Sequence, residues 1–479
     1  MPTTSTLNHA GLGKLTGLLQ DDVVSFRGIK YASLQSRFAA SEPTFPATPA
    51  KEDATKFGPE PLQNLGACAV EWFLIGGECP TEPGVEQDWS GLEGLTLNIT
   101  APKNIPAEKK LPVLIFIHGG AFLHGAASWP QYSLTPLVAS SISTSNPIIA
   151  VSINYRTNVF GFLEHPSLAP NRGINDQKHA LDWIYHNISG FGGDHENMTI
   201  LGQSAGGASV GFHLEAGTAG VKRAVMMSGD PGIRPAVPPE VHRDTFEKVC
   251  AALSLNPESA IQELENMSPR DLYKKLPMNL LYLPSLPLPS GTGKPLQAIM
   301  VGDSKHDGGI LLPPTTVDAK AVVEHFEQLP ESFLALYGLK AEDDSDAAKQ
   351  KLCNIFSDWV FYMPAVSRAM ESKIPTYLYH FNVLNEWDGV WKGQSNHILD
   401  VAYLFGNYPE LKDKAVSKDM QEAVVRFVNG DAPWSPREVK VFGSETDERT
   451  RAAAVWKIAE EAGGWDRVRG VVMSLLATI

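Results

Sequence analysis

The stretch Met198-Thr199-Ile200-Leu201-Gly202-Gln203-Ser204-Ala205-Gly206 decides how this chain is read. A short apolar run leads into a serine flanked by glycines two residues away on each side, and a helical pattern over 205–215 follows directly. A strand that turns at once into a helix pushes the intervening side chain outward. Only glycine fits where the two backbones nearly touch. The helix start leaves unpaired N–H groups and the positive end of the dipole beside the serine hydroxyl. On this strand–turn–helix, Ser204 reads as a nucleophile and the amide of Ala205 as an oxyanion donor.

Further short apolar runs lie at 113–117, 148–153 and 223–227, each bounded by turn-forming residues. Runs of that length suit strands buried on both faces of a parallel sheet. A helical pattern with Ala180, Leu181, Ile184 and Ile188 on one face falls between them. Strand and helix alternate, so the expected fold class is α/β: a central, mostly parallel twisted sheet flanked by helices. Residues 230–300 are rich in Pro and Leu with helical stretches at 240–253 and 258–265, and predict a helical cap insertion. A second helical region is expected at 316–372, a strand at 376–381, and closing helices at 416–429 and 449–479.

Upstream, His118-Gly119-Gly120-Ala121-Phe122 follows the run 113–117. Small residues there let backbone amides approach a substrate carbonyl. The amides of Gly120, Ala121 and Ala205 would form a three-donor oxyanion hole. Phe122, Leu123, Trp129 and Tyr132 after this loop, Gln203 before the serine, and Trp387 and Trp391 further on are candidate pocket residues, because aromatic and apolar side chains commonly line such sites.

With these residues on the page, the chain resembles the type-B carboxylesterases, the family of carboxylesterases, cholinesterases and some lipases. The stretch Phe191-Gly192-Gly193-Asp194 through Gly202-Gln203-Ser204-Ala205-Gly206 is similar to the family's serine motif. Phe26-Arg27-Gly28-Ile29, Tyr31-Ala32, Arg37-Phe38, Asn154-Tyr155-Arg156, Gly161-Phe162-Leu163, Asn175-Asp176-Gln177, Asp358-Trp359 and the Gly430–Trp434 stretch resemble other family segments. The resemblance spans nearly the whole chain. It implies one α/β-hydrolase domain over 1–479 with its cap, and hydrolysis of a small-molecule carboxylic ester without cofactor or metal. It also implies the acid and the base. Asp307 falls in Gly302-Asp303-Ser304-Lys305-His306-Asp307-Gly308, where the family carries glutamate, with Asp303 as the fallback. His397 opens His397-Ile398-Leu399-Asp400-Val401, the family's base motif. His380, His118 and His306 read as supporting residues.

The departures carry information. Gln203 stands where the family usually has glutamate, which weakens any preference for a cationic alcohol. Gly94 and Leu62-Gln63 stand where a first disulfide is expected. The short spacing from Ser204 to Asp307 implies a trimmed cap. The same triad could open a lactone, cleave a thioester or transfer an acyl group, and a non-catalytic binding protein is the remote alternative.

The formal net charge of −14, with no basic run, argues against nucleic acid as a partner. No apolar run is long enough to span a bilayer, and the first residues lack a signal-peptide pattern. A cytoplasmic enzyme is therefore expected, its oligomeric state open. Cys68, Cys79, Cys250 and Cys353 are too sparse for a disulfide framework. Reduced thiols are expected, with a Cys68–Cys79 bridge as the alternative.

Overall fold

The computed structural model describes residues 3–44, 52–64, 66–77, 89–106, 108–277, 280–288, 293–436, 438–444 and 448–476. Cys79 lies outside the described residues, and so does the question of its bridge to Cys68.

The main strands are β1 (Thr4–His9), β2 (Gly13–Gln20), β3 (Val23–Lys30), β4 (Thr96–Pro102), β5 (Leu111–Ile117), β6 (Ile149–Ile153), β7 (Gly193–Gln203), β8 (Val221–Met227), β9 (Ala298–Ser304), β10 (Thr376–Asn382) and β11 (Val439–Gly443). They lie side by side in the order β1-β2-β3-β4-β6-β5-β7-β8-β9-β10-β11, with a short Asp53–Ala54 strand beside β2. From β1 to β6 each neighbour is antiparallel, and from β6 to β11 each is parallel. This mostly parallel sheet flanked by helices is the α/β-hydrolase fold expected from the sequence.

The continuous apolar runs explain why the centre is parallel. Both faces of those strands are covered, so both alternating sets of side chains must be apolar. Val113, Ile115, Ile117, Ile200 and Met226 join one core cluster; Leu114, Phe116, Leu201, Val225 and Met227 join the one on the opposite face. A third cluster links the helical stretches 319–366 and 455–475.

Five helices bear on the site: α1 (Ala67–Ile75), α2 (Arg172–Asn187), α3 (Ala205–Ala216), α4 (Pro269–Lys275) and α5 (Leu399–Phe405). Helices Pro239–Leu253 and Ala260–Asn266 occupy the expected cap stretch, whose last residues, from Ala298, belong instead to β9. That strand ends Gly302-Asp303-Ser304 and has little apolar length, so its sequence hides it. The stretch 316–372 is helical, with a π-helical turn at Ser357–Tyr362.

Among the described residues no helix is long and apolar enough to cross a membrane.

Candidate active site

Sheet order brings the first two parts of the site together. The chain places β6 on one side of β5 and then crosses to lay β7 on the other side. Loops leaving adjacent strands at such a switch point diverge and leave a crevice. Ser204 leaves β7 there, and the His118–Phe122 loop leaves β5.

Ser204 sits at the start of α3 with φ 55° and ψ −124°, a strained conformation for a residue with a side chain. Its surroundings enforce the turn. A Cβ on Gly202 would collide with the Gly206 carbonyl, one on Gly206 with the Ile117 carbonyl, and one on Gly229 with the Ser204 carbonyl. The Ser204 amide donates to Met227 O at 2.9 Å, which ties the turn to β8.

The candidate oxyanion loop, His118–Phe122, is equally constrained. Gly120, Ala121 and Phe122 have successive positive φ values of 91°, 56° and 61°. A Cβ on Gly119 would lie 2.7 Å from the Gln203 carbonyl and 3.1 Å from Ser204 Cβ, so the loop rests directly on the nucleophile turn. The loop is held from outside as Asn158 N–H donates to Phe122 O at 2.6 Å. Among the described residues the amides of Gly120 and Ala121 have no acceptor. The Ala205 amide opens α3, where a helix has no internal acceptor to offer. His118 stacks on Tyr155 with ring centres 4.4 Å apart, and burial pushes its imidazole down to about 4.

Asp307 lies just beyond the end of β9, and His397 lies in the long connection that follows β10. His397 Nδ1 donates to Asp307 Oδ1 at 2.6 Å, and Asp307 Oδ2 accepts from the Ser304 amide at 2.7 Å. The shorter aspartate therefore reaches the imidazole without a gap. Burial pushes the Asp307 carboxyl above its usual range, and the hydrogen bond from His397 pulls the other way. With its Nδ1 donating, His397 presents a lone pair at Nε2, which accepts from Gln203 Nε2–H at 3.1 Å. Among the described residues the Ser204 hydroxyl makes no hydrogen bond. The base loop is anchored through Asn396, which donates to Leu74 O at 2.9 Å, and Asn385, which donates to Ile75 O at 2.7 Å. Asp303 is engaged elsewhere, accepting from His380 Nδ1 at 3.0 Å across the β9–β10 register. His306 Nδ1 accepts from the Ser395 amide and so links the acid and base loops.

The carboxylesterase family model matches residues 4–461. The chain belongs to the carboxylesterase family. It is a carboxylic ester hydrolase, and family members act on small-molecule esters. It is 28% identical over 453 residues to the para-nitrobenzyl esterase of Bacillus subtilis (strain 168), covering 86% of this chain and 85% of that protein. It is 28% identical to the acetylcholinesterase of Bungarus fasciatus over 91% of this chain and 79% of that one. A solved structure titled as a thermophilic PNB esterase superposes with a TM-score of 0.74 at 25% identity, covering 94% of this chain and all of that one.

In this carboxylesterase the pocket candidates separate by burial. Phe122 is fully buried against Phe162 (ring centres 4.5 Å apart), and Trp129 is buried and stacked with Tyr132. Both belong to the core clusters. Leu123 and Trp387 keep partial exposure, Trp387 with its Nε1 on Pro409 O at 2.9 Å. Trp391 lies against Gly309 in the acid loop. Gln203 is buried against the base. Sequence reasoning missed α1, which carries the anchors of the base loop, and α4. Neither carries a motif of its own, and each meets the site only through contacts distant along the chain.

Proposed function

We propose that this carboxylesterase works through Ser204, His397 and Asp307, with an acyl-enzyme intermediate. The observation that carries the reading is the 2.6 Å His397–Asp307 hydrogen bond, with Gln203, the residue before Ser204, donating to the same imidazole at 3.1 Å. Ser204 is a poor nucleophile until His397 Nε2 takes its proton, so the Gln203 amide must yield the lone pair in the reactive arrangement. Apo geometry at such sites commonly tightens only when substrate is bound. Asp307 fixes the imidazole tautomer and stabilises the imidazolium. The tetrahedral oxyanion rests on the amides of Gly120, Ala121 and Ala205. His397 then protonates the leaving alcohol, and water, deprotonated by His397, releases the acid. The chemistry calls on no cofactor or metal. The chain acts as one domain, with the helical insertions roofing the site.

The test is fluorophosphonate labelling together with turnover of a p-nitrophenyl ester chain-length series. Wild type should label at Ser204 and hydrolyse the esters. Ser204→Ala should lose labelling and about 10⁵- to 10⁶-fold in kcat. Folded wild type that neither labels nor turns over an ester would overturn the proposal. Turnover of lactones alone would move the substrate class while keeping the residues.

A further inference from the structure

A cavity of about 460 Å³ flanks the site. Among the described residues its lining includes neither Ser204 nor His397, yet its walls are bonded to the loops that position both. His124 N–H donates to Gly120 O at 3.3 Å. Tyr273 donates from its hydroxyl to Asn158 Oδ1 at 3.1 Å, and Asn158 in turn holds the carbonyls of Phe122 and Leu123. Ala67 and Val70 belong to α1, whose far end anchors the base loop through the Leu74 and Ile75 carbonyls. The cavity therefore shares its walls with the segments that hold the candidate oxyanion loop.

Its chemistry runs against that of the molecule. The chain carries a net charge of −14. Yet this cavity is rimmed by Arg270 and Lys274, one turn apart on α4, and among its described lining residues there is no carboxylate. Neither cation has an ion-pair partner among the described residues. Five other helical lysines, Lys178, Lys248, Lys320, Lys418 and Lys457, each face an acid four residues away, whereas Lys349 and Lys414 have no such partner among the described residues. Two cations at that spacing repel each other, although Lys274, in the last turn of α4, is favoured by the helix dipole. His124 adds a polar group without charge, since burial pushes its imidazole down to about 4. Trp89 and Tyr273 supply apolar surface between the cations and the oxyanion loop.

We propose that this cavity is a subsite for an anionic group, so that the preferred ester carries a carboxylate at the end held between Arg270 and Lys274. The inference rests on the ester-hydrolase reading above. A cleft lined by one sign of charge concentrates oppositely charged ligands, and the effect weakens with salt.

Two matched pairs test it: 4-(hexanoyloxy)benzoate against 4-(hexanoyloxy)benzamide, and the p-nitrophenyl monoester of suberic acid against its methyl-capped form. The first pair carries the charge on the leaving group and the second on the acyl group. In at least one pair, the charged ester should be favoured about five- to tenfold in kcat/KM at low ionic strength. That ratio should fall towards one in about 0.5 M NaCl and in the Arg270→Gln/Lys274→Gln double variant. It should drop below one in Arg270→Glu/Lys274→Glu. A ratio of one or less in both pairs, with the neutral esters turned over, overturns the subsite and leaves the esterase reading intact. So does a preference that the double variant retains. Absence of both turnover and Ser204 labelling would instead remove the esterase reading, and the subsite with it.

Discussion

Asp307 and Gln203 each stand where the family resemblance leads one to expect glutamate, and each has a measurable consequence. Asp307 is buried, so its ionised form is held at a cost that the proposed catalytic role requires and stability does not. Its raised pKa means that the folded state holds the proton more tightly than the unfolded chain does. This group therefore favours folding in acid and opposes it once pH rises past the unfolded carboxylate range. Asp307→Asn is expected to lose about 10⁴-fold in kcat while its melting temperature at neutral pH stays level or rises. A clear fall in melting temperature would show that the charge holds the loops together. Gln203 donates to the lone pair that the Ser204 proton needs. Gln203→Leu keeps much of the bulk and removes the N–H. One hydrogen bond of about 0.5–1.5 kcal/mol should then be returned as a roughly 2- to 10-fold faster fluorophosphonate labelling rate. Slower labelling would mean that the amide positions the imidazole and does not compete with Ser204. The proposed serine, acid and base could be named from the sequence because each sits in a short motif. The meeting of Gln203 with His397 was not, because it depends on a rotamer that brings together residues 194 positions apart.

At the scale of elements, the site is a set of strand ends whose loops are locked by backbone collisions. Gly120 combines φ 91° with a Cβ direction blocked by the His124 carbonyl. Gly120→Ala is expected to displace an oxyanion amide and lower kcat by about 100- to 1000-fold, with KM for a p-nitrophenyl ester changing much less. A raised KM with kcat unchanged would instead place the damage in binding. Helix α5 carries a second buried acid: Asp400 accepts from the Tyr379 hydroxyl at 2.9 Å, and burial, then the Asp307 charge, push its carboxyl up to about 7. Between about pH 4 and about pH 7, the folded chain keeps a proton that the unfolded chain has released. The stability this group lends in acid is therefore lost as pH climbs through that window. Asp400→Asn should gain on wild type by a few kcal/mol between pH 4 and pH 8 in denaturant melts. A pH-independent difference would sink this account. The central strands were readable because burial on both faces makes their apolar runs continuous. The edge strand β1 (Thr-Ser-Thr-Leu-Asn-His) exposes alternate residues and carries no such run.

The whole molecule is tied by groups far apart in sequence. Arg156 donates from Nε and Nη2 to the two oxygens of buried Asp176, both at 2.8 Å, and from Nη1 to the carbonyls of Arg37 and Ala39. Three segments that resembled the family for no local reason thus meet at one guanidinium. Removing one partner of a buried pair leaves an uncompensated charge, so Arg156→Met should lower unfolding free energy by about 3–5 kcal/mol. Urea denaturation followed by fluorescence checks this, and a loss under about 1 kcal/mol would mean that water replaces the partner. The motif residues of this network were visible in the sequence, but their purpose emerged only from where the chain brings them. The Asn385 and Asn396 anchors extend the same principle, spanning 310 and 322 residues to reach α1. During synthesis, α1 emerges early and waits for most of the chain to follow before its partner loop exists. If His397 is the base as proposed, a nascent fragment ending before residue 397 holds Ser204 and its amide donors without it, so a chain truncated there should show no fluorophosphonate labelling.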